Sequence, residues 1–151
     1  LSFLEQAYLI YRCRRYDLKG LRHLELYDKY YMTDIGIRHG LIGYRDSDIS
    51  GLLENIVYLD LRARGYSVSV GKYRDIEIDF VAERQSDRIY VQVSYLLSTQ
   101  ATIEREYGAL EQISDNFPKL VLSLDPVRPV ERGGIRWTNI IDFLLSDSIT
   151  A

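Results

Sequence analysis

Two short segments constrain this chain more than any other feature. In residues 76–80, Ile76, Ile78 and Phe80 alternate with Glu77 and Asp79, and in residues 91–94, Val91 and Val93 alternate with Gln92 and Ser94. Side chains two apart on a strand point the same way, so each segment reads as a strand with one apolar and one polar face. If Glu83 and Arg88 flank a four-residue loop, Arg84 to Asp87, the register sets Asp79 opposite Gln92 and Glu77 opposite Ser94. Carboxylates, an amide and a hydroxyl then share one patch, where a purely structural sheet would carry apolar groups.

The flanking pattern is that of a mixed α/β domain. Residues 1–7 look like the end of a helix. Residues 8–16 and 21–27 read as two strands joined by Leu18-Lys19-Gly20, and residues 29–33 extend the second strand or begin a new one. Asp34 to Gly43 reads as a helical turn. Asp46-Ser47-Asp48 offers N-cap residues for the longest helix, about residues 49–64, which ends at Gly65. Its apolar stripe is Leu53, Ile56, Val57 and Leu61. A strand over 66–70 and a turn at Gly71 precede the polar-striped hairpin. Ser98-Thr99 caps a helix over about 101–114, with Ile103, Tyr107, Leu110 and Ile113 on one side. A buried strand over 120–124, a Pro/Gly-rich loop over 125–134, a short strand over 135–138 and a helix over 139–145 complete the chain. After residue 45 the order is α-β-β-β-α-β-(β)-α, a layered α/β sandwich.

Composition bounds the function. A chain of 151 residues is one domain, or one with a small appendage. No apolar run reaches the roughly 18 residues needed to cross a bilayer, and no signal-peptide pattern is present. With a single cysteine, Cys13, the chain has neither an internal disulfide nor a multi-cysteine zinc site, and a reducing cytoplasm is the expected setting. It starts without Met inside an apparent helix, so it is expected to be part of a longer protein. The formal net charge is −3, but residues 1–45 carry eight Lys/Arg against five Asp/Glu. Arg12, Arg14, Lys19 and Arg22 on the first hairpin are the candidate DNA contacts. Arg12 and Arg14 share a strand face, and Arg15 points the other way. Arg outnumbers Lys 15 to 4, and 13 Tyr are present. Such a surface suits phosphate contacts and equally a protein interface or a second copy of the chain.

The order of elements, with Glu54 on the long helix and Asp79 on a hairpin strand, resembles the PD-(D/E)xK, or restriction endonuclease-like, nuclease fold. That resemblance implies a Mg²⁺ or Mn²⁺ site in which Glu54 is the helix acid and Asp79 the strand acid. Gln92 stands where the fold has a second acid, and Ser94 where it has a lysine. Glu77, on the face of Asp79, is the substitute for the lost acid. A second resemblance rests on Lys29-Tyr-Tyr-Met-Thr-Asp34-Ile-Gly36, Leu53-Glu54-Asn55, Gly65-Tyr66, Glu77-Ile-Asp79-Phe80 and Asn139-Ile-Ile-Asp142-Phe143, in that order. It is similar to the domain of unknown function that follows the AAA+ module in many prokaryotic ATPases.

The second resemblance implies a winged-helix-like remnant over residues 1–35, with the basic hairpin as its wing. A nuclease-like domain follows over 36–151, and the partner implied is an upstream AAA+ module. The phosphate loop G-x-x-x-x-G-K-[ST] is absent from this chain, so ATP hydrolysis is not expected of it. The expected function is non-catalytic: binding DNA or a protein partner, or regulating the ATPase. The alternatives are a degenerate Mg²⁺- or Mn²⁺-dependent nuclease using Glu54, Asp79, Gln92 and Glu77, and a docking or oligomerisation module.

Overall fold

A computed structural model describes residues 1–127 and 132–149. Seven strands form one mixed sheet in the order β2-β1-β3-β4-β5-β6-β7. In chain order, α1 (Ser2–Gln6) leads into the hairpin β1 (Ile10–Asp17) and β2 (Arg22–Met32), followed by α2 (Ile35–Ile42). A 3-10 turn at Asp46–Asp48 opens α3 (Ile49–Ala63), and β3 (Ser67–Tyr73), β4 (Ile76–Arg84) and β5 (Asp87–Val93) run antiparallel. After α4 (Gln100–Glu111), β6 (Lys119–Ser123) and β7 (Arg136–Asn139) add parallel strands, and α5 (Ile140–Leu145) closes the chain. Part of the expected loop over 125–134 lies outside the described residues.

The central strands are buried on both faces. On one, Val57, Tyr58 and Leu61 of α3 and Ile140 and Phe143 of α5 pack on Phe80, Ala82, Val91 and Leu122. On the other, Tyr107, Ala109 and Leu110 of α4 pack on Ile78, Val81, Tyr90 and Val121. The mixed α/β architecture expected from the sequence is therefore present, with these helices on either side of the sheet. The α3 stripe differs in detail. Its buried residues include Leu52, Asn55 and Tyr58, while Leu53 and Ile56 are only partly covered. Asn55 is buried because its side chain clamps β2: it accepts from the Met32 N–H at 2.8 Å and donates to the Met32 carbonyl at 2.9 Å.

The first hairpin is not a free-standing wing. β2 is continuous through Met32, and β1 pairs in parallel with β3 at Arg15–Val70, Tyr16–Gly71 and Asp17–Lys72. One sheet thus runs across the boundary expected at residue 35. Residues 25–28 form an excursion in β2 opposite Arg14, with Tyr27 at φ 65°. Arg15 straps that excursion by donating to the Tyr27 carbonyl at 2.7 Å.

Two turns differ from expectation. The β4–β5 turn is the two residues Gln85-Ser86, because Arg84 and Asp87 pair; the register is unchanged, with Glu83 opposite Arg88. Gly71 is not a turn. It sits inside β3 at a register shift, where a Cβ would come within 2.8 Å of Ile78 Cβ and Val81 Cγ2, and the strand reverses at Arg74-Asp75 instead. Glycine is needed there for close approach. One cap also differs. Asp48 makes no cap bond, because its carboxylate pairs with Arg38 at 2.5 Å, whereas Thr99 caps α4 and Asn139 caps α5 as expected of their residue types.

Candidate functional site

The register shift between β3 and β4 positions the site. Ile78 and Val81 face the α4 core while Phe80 and Ala82 face the α3 core, so strict alternation fails around residues 79–80. The expected common face of Ile78 and Phe80 is thereby corrected: the bulge in β4 breaks it. Beyond Phe80–Val91 the β4–β5 ladder stops, and side chains take over its hydrogen bonds. Gln92 Oε1 accepts from the Asp79 N–H at 2.6 Å, and Asp79 Oδ2 accepts from the Val93 N–H at 2.9 Å. Buried backbone donors need partners, and here the two residues at the expected catalytic positions supply them.

Around this opening lies a cleft of about 610 Å³ lined by Lys29, Glu54, Glu77, Asp79, Gln92 and Glu106 among others. Lys29, delivered by β2, is its centre. Its Nζ lies 2.5 Å from Glu54 Oε1, 2.8 Å from Glu77 Oε1 and 3.7 Å from Asp79 Oδ1. Arg15 adds a second cation, with Nη1 2.6 Å from Glu77 Oε2. The Tyr31 hydroxyl donates to Glu54 Oε1 at 3.3 Å, and its ring stacks on Tyr58 at 4.3 Å. On the α4 side, Gln92 Nε2 donates to Glu106 Oε2 at 3.0 Å, and Arg105 holds Glu106 Oε1 at 2.6 Å. Gln92 and Asp79 therefore meet through the gap in the sheet, and the network reaches both helices.

The electrostatics follow from this count. Burial works against the Lys29 ammonium, but Glu54 and Glu77 outweigh it and hold the group above its ordinary value. Burial also works against ionised Glu77, and Lys29 and Arg15 outweigh it, so Glu77 stays below the usual carboxylate range. Asp79 is the one left over. Burial, then the charge of Glu54, pushes it up to about 7. Lys29 and Arg15 thus stand against Glu54 and Glu77, and the third carboxylate of the group, Asp79, is the one pushed toward its protonated form.

The structure brings Glu54, Glu77, Asp79 and Gln92 to one cleft, as read from the sequence, and leaves Ser94 outside it. The Ser94 hydroxyl bonds to Leu96 O at 3.4 Å, and Glu77 lies opposite Lys72 of β3 rather than Ser94. Lys29, Arg15, Glu106 and Asn55 are neighbours of the cleft to which the sequence reading gave no place in it. Glu106 was within reach of it, since it lies three residues after Ile103 and four before Leu110 on the α4 stripe. Lys29 carries no local signal, because its role depends on where β2 docks.

Mg²⁺ or Mn²⁺, which the nuclease resemblance implies, would require oxygen ligands free to turn inward. The present arrangement does not fit such an ion. The Gln92 carbonyl oxygen is taken by the Asp79 amide, and Lys29 already bridges the carboxylates. Among the described residues, no three His, Cys, Asp or Glu side chains are grouped so as to hold a metal ion.

The basic hairpin residues are dispersed. Arg12 pairs with Asp28 at 2.5 Å, Arg14 is exposed on β1, and Lys19 and Arg22 sit beside Asp17 at the hairpin tip. Arg15 turns the other way, to Glu77. His23 meets the Tyr16 ring edge-on and His39 meets Tyr44. Among the described residues, no helix is long and apolar enough to cross a membrane.

No family model matches the chain, and no solved structure matches it. An uncharacterized protein of Haemophilus influenzae is similar, 36% identical over 145 residues. The alignment covers 96% of this chain and 36% of that protein, so the chain spans little more than a third of the length of the relative it matches.

Proposed function

We propose that this chain is a non-hydrolytic, restriction endonuclease-like accessory module of an AAA+ ATPase and that it binds nucleic acid. The observation that carries the first half is the Lys29 cluster. An internal ammonium occupies the place among Glu54, Glu77 and Asp79 where a nuclease would gather positive charge. Gln92, in place of the second acid, is committed to bridging the gap between β4 and β5 and to Glu106. Such a group cross-links the hairpin, α3 and β4 by ion pairs and leaves no carboxylate pair open to a divalent ion. Most of the relative's length lies outside the aligned stretch, which leaves room for an ATPase module.

The test is calorimetric titration of Mg²⁺ and Mn²⁺ into this chain and into Asp79→Ala, with a parallel assay of DNA cleavage. The expected result is no saturable heat in either and no cleavage. Saturable binding lost in Asp79→Ala, with metal-dependent cleavage by the unaltered chain, would replace this reading with a second one.

That second reading, a degenerate metal-dependent phosphodiesterase, is favoured by one feature. Lys29 supplies beside Asp79 the positive charge that Ser94 lacks. It requires Lys29 to withdraw from Glu54 and Glu77.

A further inference from the structure

The sheet has a second opening, and it has the opposite charge. The parallel pairing of β1 with β3 stops at Arg15–Val70, so Arg12 to Arg14 stand apart from Ser67 to Ser69 without a backbone ladder between them. The gap is a cleft of about 470 Å³ lined by Arg12, Arg14 and His23 of the hairpin, Arg62 and Tyr58 of α3, and Ser67 and Ser69 of β3 among others. Among the described residues that line it there is no carboxylate.

Its arginines are set with donors free. Arg62 lies over the Tyr11 ring at 3.9 Å, and its Nη1 donates to the Tyr58 hydroxyl at 3.1 Å. Among the described residues neither Arg14 nor Arg62 has a carboxylate partner. Arg12 gives only its Nε to Asp28, which leaves both terminal nitrogens available. Guanidinium forks match the oxygens of a phosphate, and stacking on Tyr11 and Tyr58 fixes one fork in advance. Arg62 also lies eight residues after Glu54 on α3, about 12 Å farther along the axis and about 80° around it.

We propose that this cleft is a phosphate site and that its ligand is the backbone of a nucleic-acid strand, held by Arg12, Arg14 and Arg62. The identity of the ligand rests on the nucleic-acid reading above, whereas the site itself does not. It shifts the expected contact surface: Arg62 enters, and the tip residues Lys19 and Arg22 leave.

The experiment measures fluorescence anisotropy of a labelled single-stranded oligodeoxynucleotide with this chain. Inorganic phosphate is titrated separately while the arginine Nε–Hε signals are followed by NMR. The variants are Arg14→Gln/Arg62→Gln and the charge-matched Lys19→Gln/Arg22→Gln. The cleft variant is expected to weaken oligonucleotide binding about tenfold or more and to lower the salt slope by about two, against about twofold or less for the tip variant. If Arg62→Gln disturbs folding, Arg62→Lys keeps the charge, and Arg14→Gln alone carries the test. Oligonucleotide binding that is lost in the tip variant and kept in the cleft variant overturns the site and leaves the nucleic-acid reading standing. Phosphate shifts at Arg14 and Arg62 without oligonucleotide binding keep the site, refute the strand as its ligand and point to a small phosphate-bearing molecule. No response to either probe overturns both.

Discussion

Between β4 and β5 the backbone ladder ends at Phe80–Val91, and between β1 and β3 it ends at Arg15–Val70. At the first opening, acidic side chains turn inward and are matched from within by Lys29 and Arg15. At the second, Arg14 and Arg62 face a cleft with no acid among the described residues of its wall. A buried charge must be paired where it stands, since water cannot do it. An exposed arginine keeps its hydration and can wait for a ligand. The first opening should therefore report changes as folding stability and the second as binding.

The largest expected effect comes from removing the central cation. Lys29→Met leaves Glu54, Glu77 and Asp79 short of a partner, and breaking such a partly buried group should cost about 3 kcal/mol. Urea denaturation at pH 7.5 measures it, and an effect no larger than that of an ordinary surface change would mean that the cluster is not a structural lock. The next effect is Gln92→Glu. It keeps an acceptor for the Asp79 N–H but sets a carboxylate against Glu106, where Gln92 donated a hydrogen bond. A loss of about 2 kcal/mol is expected with a chelator present. Millimolar Mn²⁺ should raise the melting temperature of this variant and leave the unaltered chain unchanged. A Mn²⁺-induced rise in the unaltered chain would contradict the charge-balance argument.

Much of this contrast was legible in the sequence, and the part that was not has a physical cause. The period-2 alternation and the Glu83/Arg88 flanks gave the β4–β5 register, which placed Asp79 against Gln92. That information is local. The break in alternation at residues 79–80 was hidden, because a bulge depends on how β3 docks and Gly71 looks like a turn residue until its neighbours are known. Lys29 was hidden more deeply. It lies 25 residues from Glu54 and 50 from Asp79, and the Lys29–Gly36 segment that carries it does not tie it to either. Its role comes from the pairing of β1 with β3, which the reading of the hairpin as a separate wing left out. The same omission kept Arg62 out of the candidate contacts.

The pH dependence separates the two openings further. Burial and then Glu54 push the Asp79 carboxyl up to about 7, while an unfolded Asp titrates near 3.9. Between those values the folded state holds a proton that the unfolded state has lost, so stability falls as pH rises and levels off above about 7. Glu77 is shifted the other way, and its contribution is lost only below the ordinary carboxylate range. Of these two carboxylates, only Asp79 titrates in the window from pH 5 to 8. The chain should be about 2–3 kcal/mol more stable at pH 5 than at pH 8, and Asp79→Asn should flatten the difference. An equal slope in Asp79→Asn would move the titration to another group.

The smallest effect on stability is expected at the open cleft. Arg62→Gln removes the guanidinium from the Tyr11 ring and from the Tyr58 hydroxyl, contacts made at the surface. A cation over an exposed ring contributes about 0.5–1 kcal/mol, so the variant should unfold within about 1 kcal/mol of the unaltered chain. Its stability should follow pH just as the unaltered chain does, because Asp79 is untouched. Urea titrations at pH 5 and pH 8 test both points. A loss as large as that of Lys29→Met would show that Arg62 braces β1 against α3, and the contrast between a locked opening and an open one would fail at the residue on which it most depends.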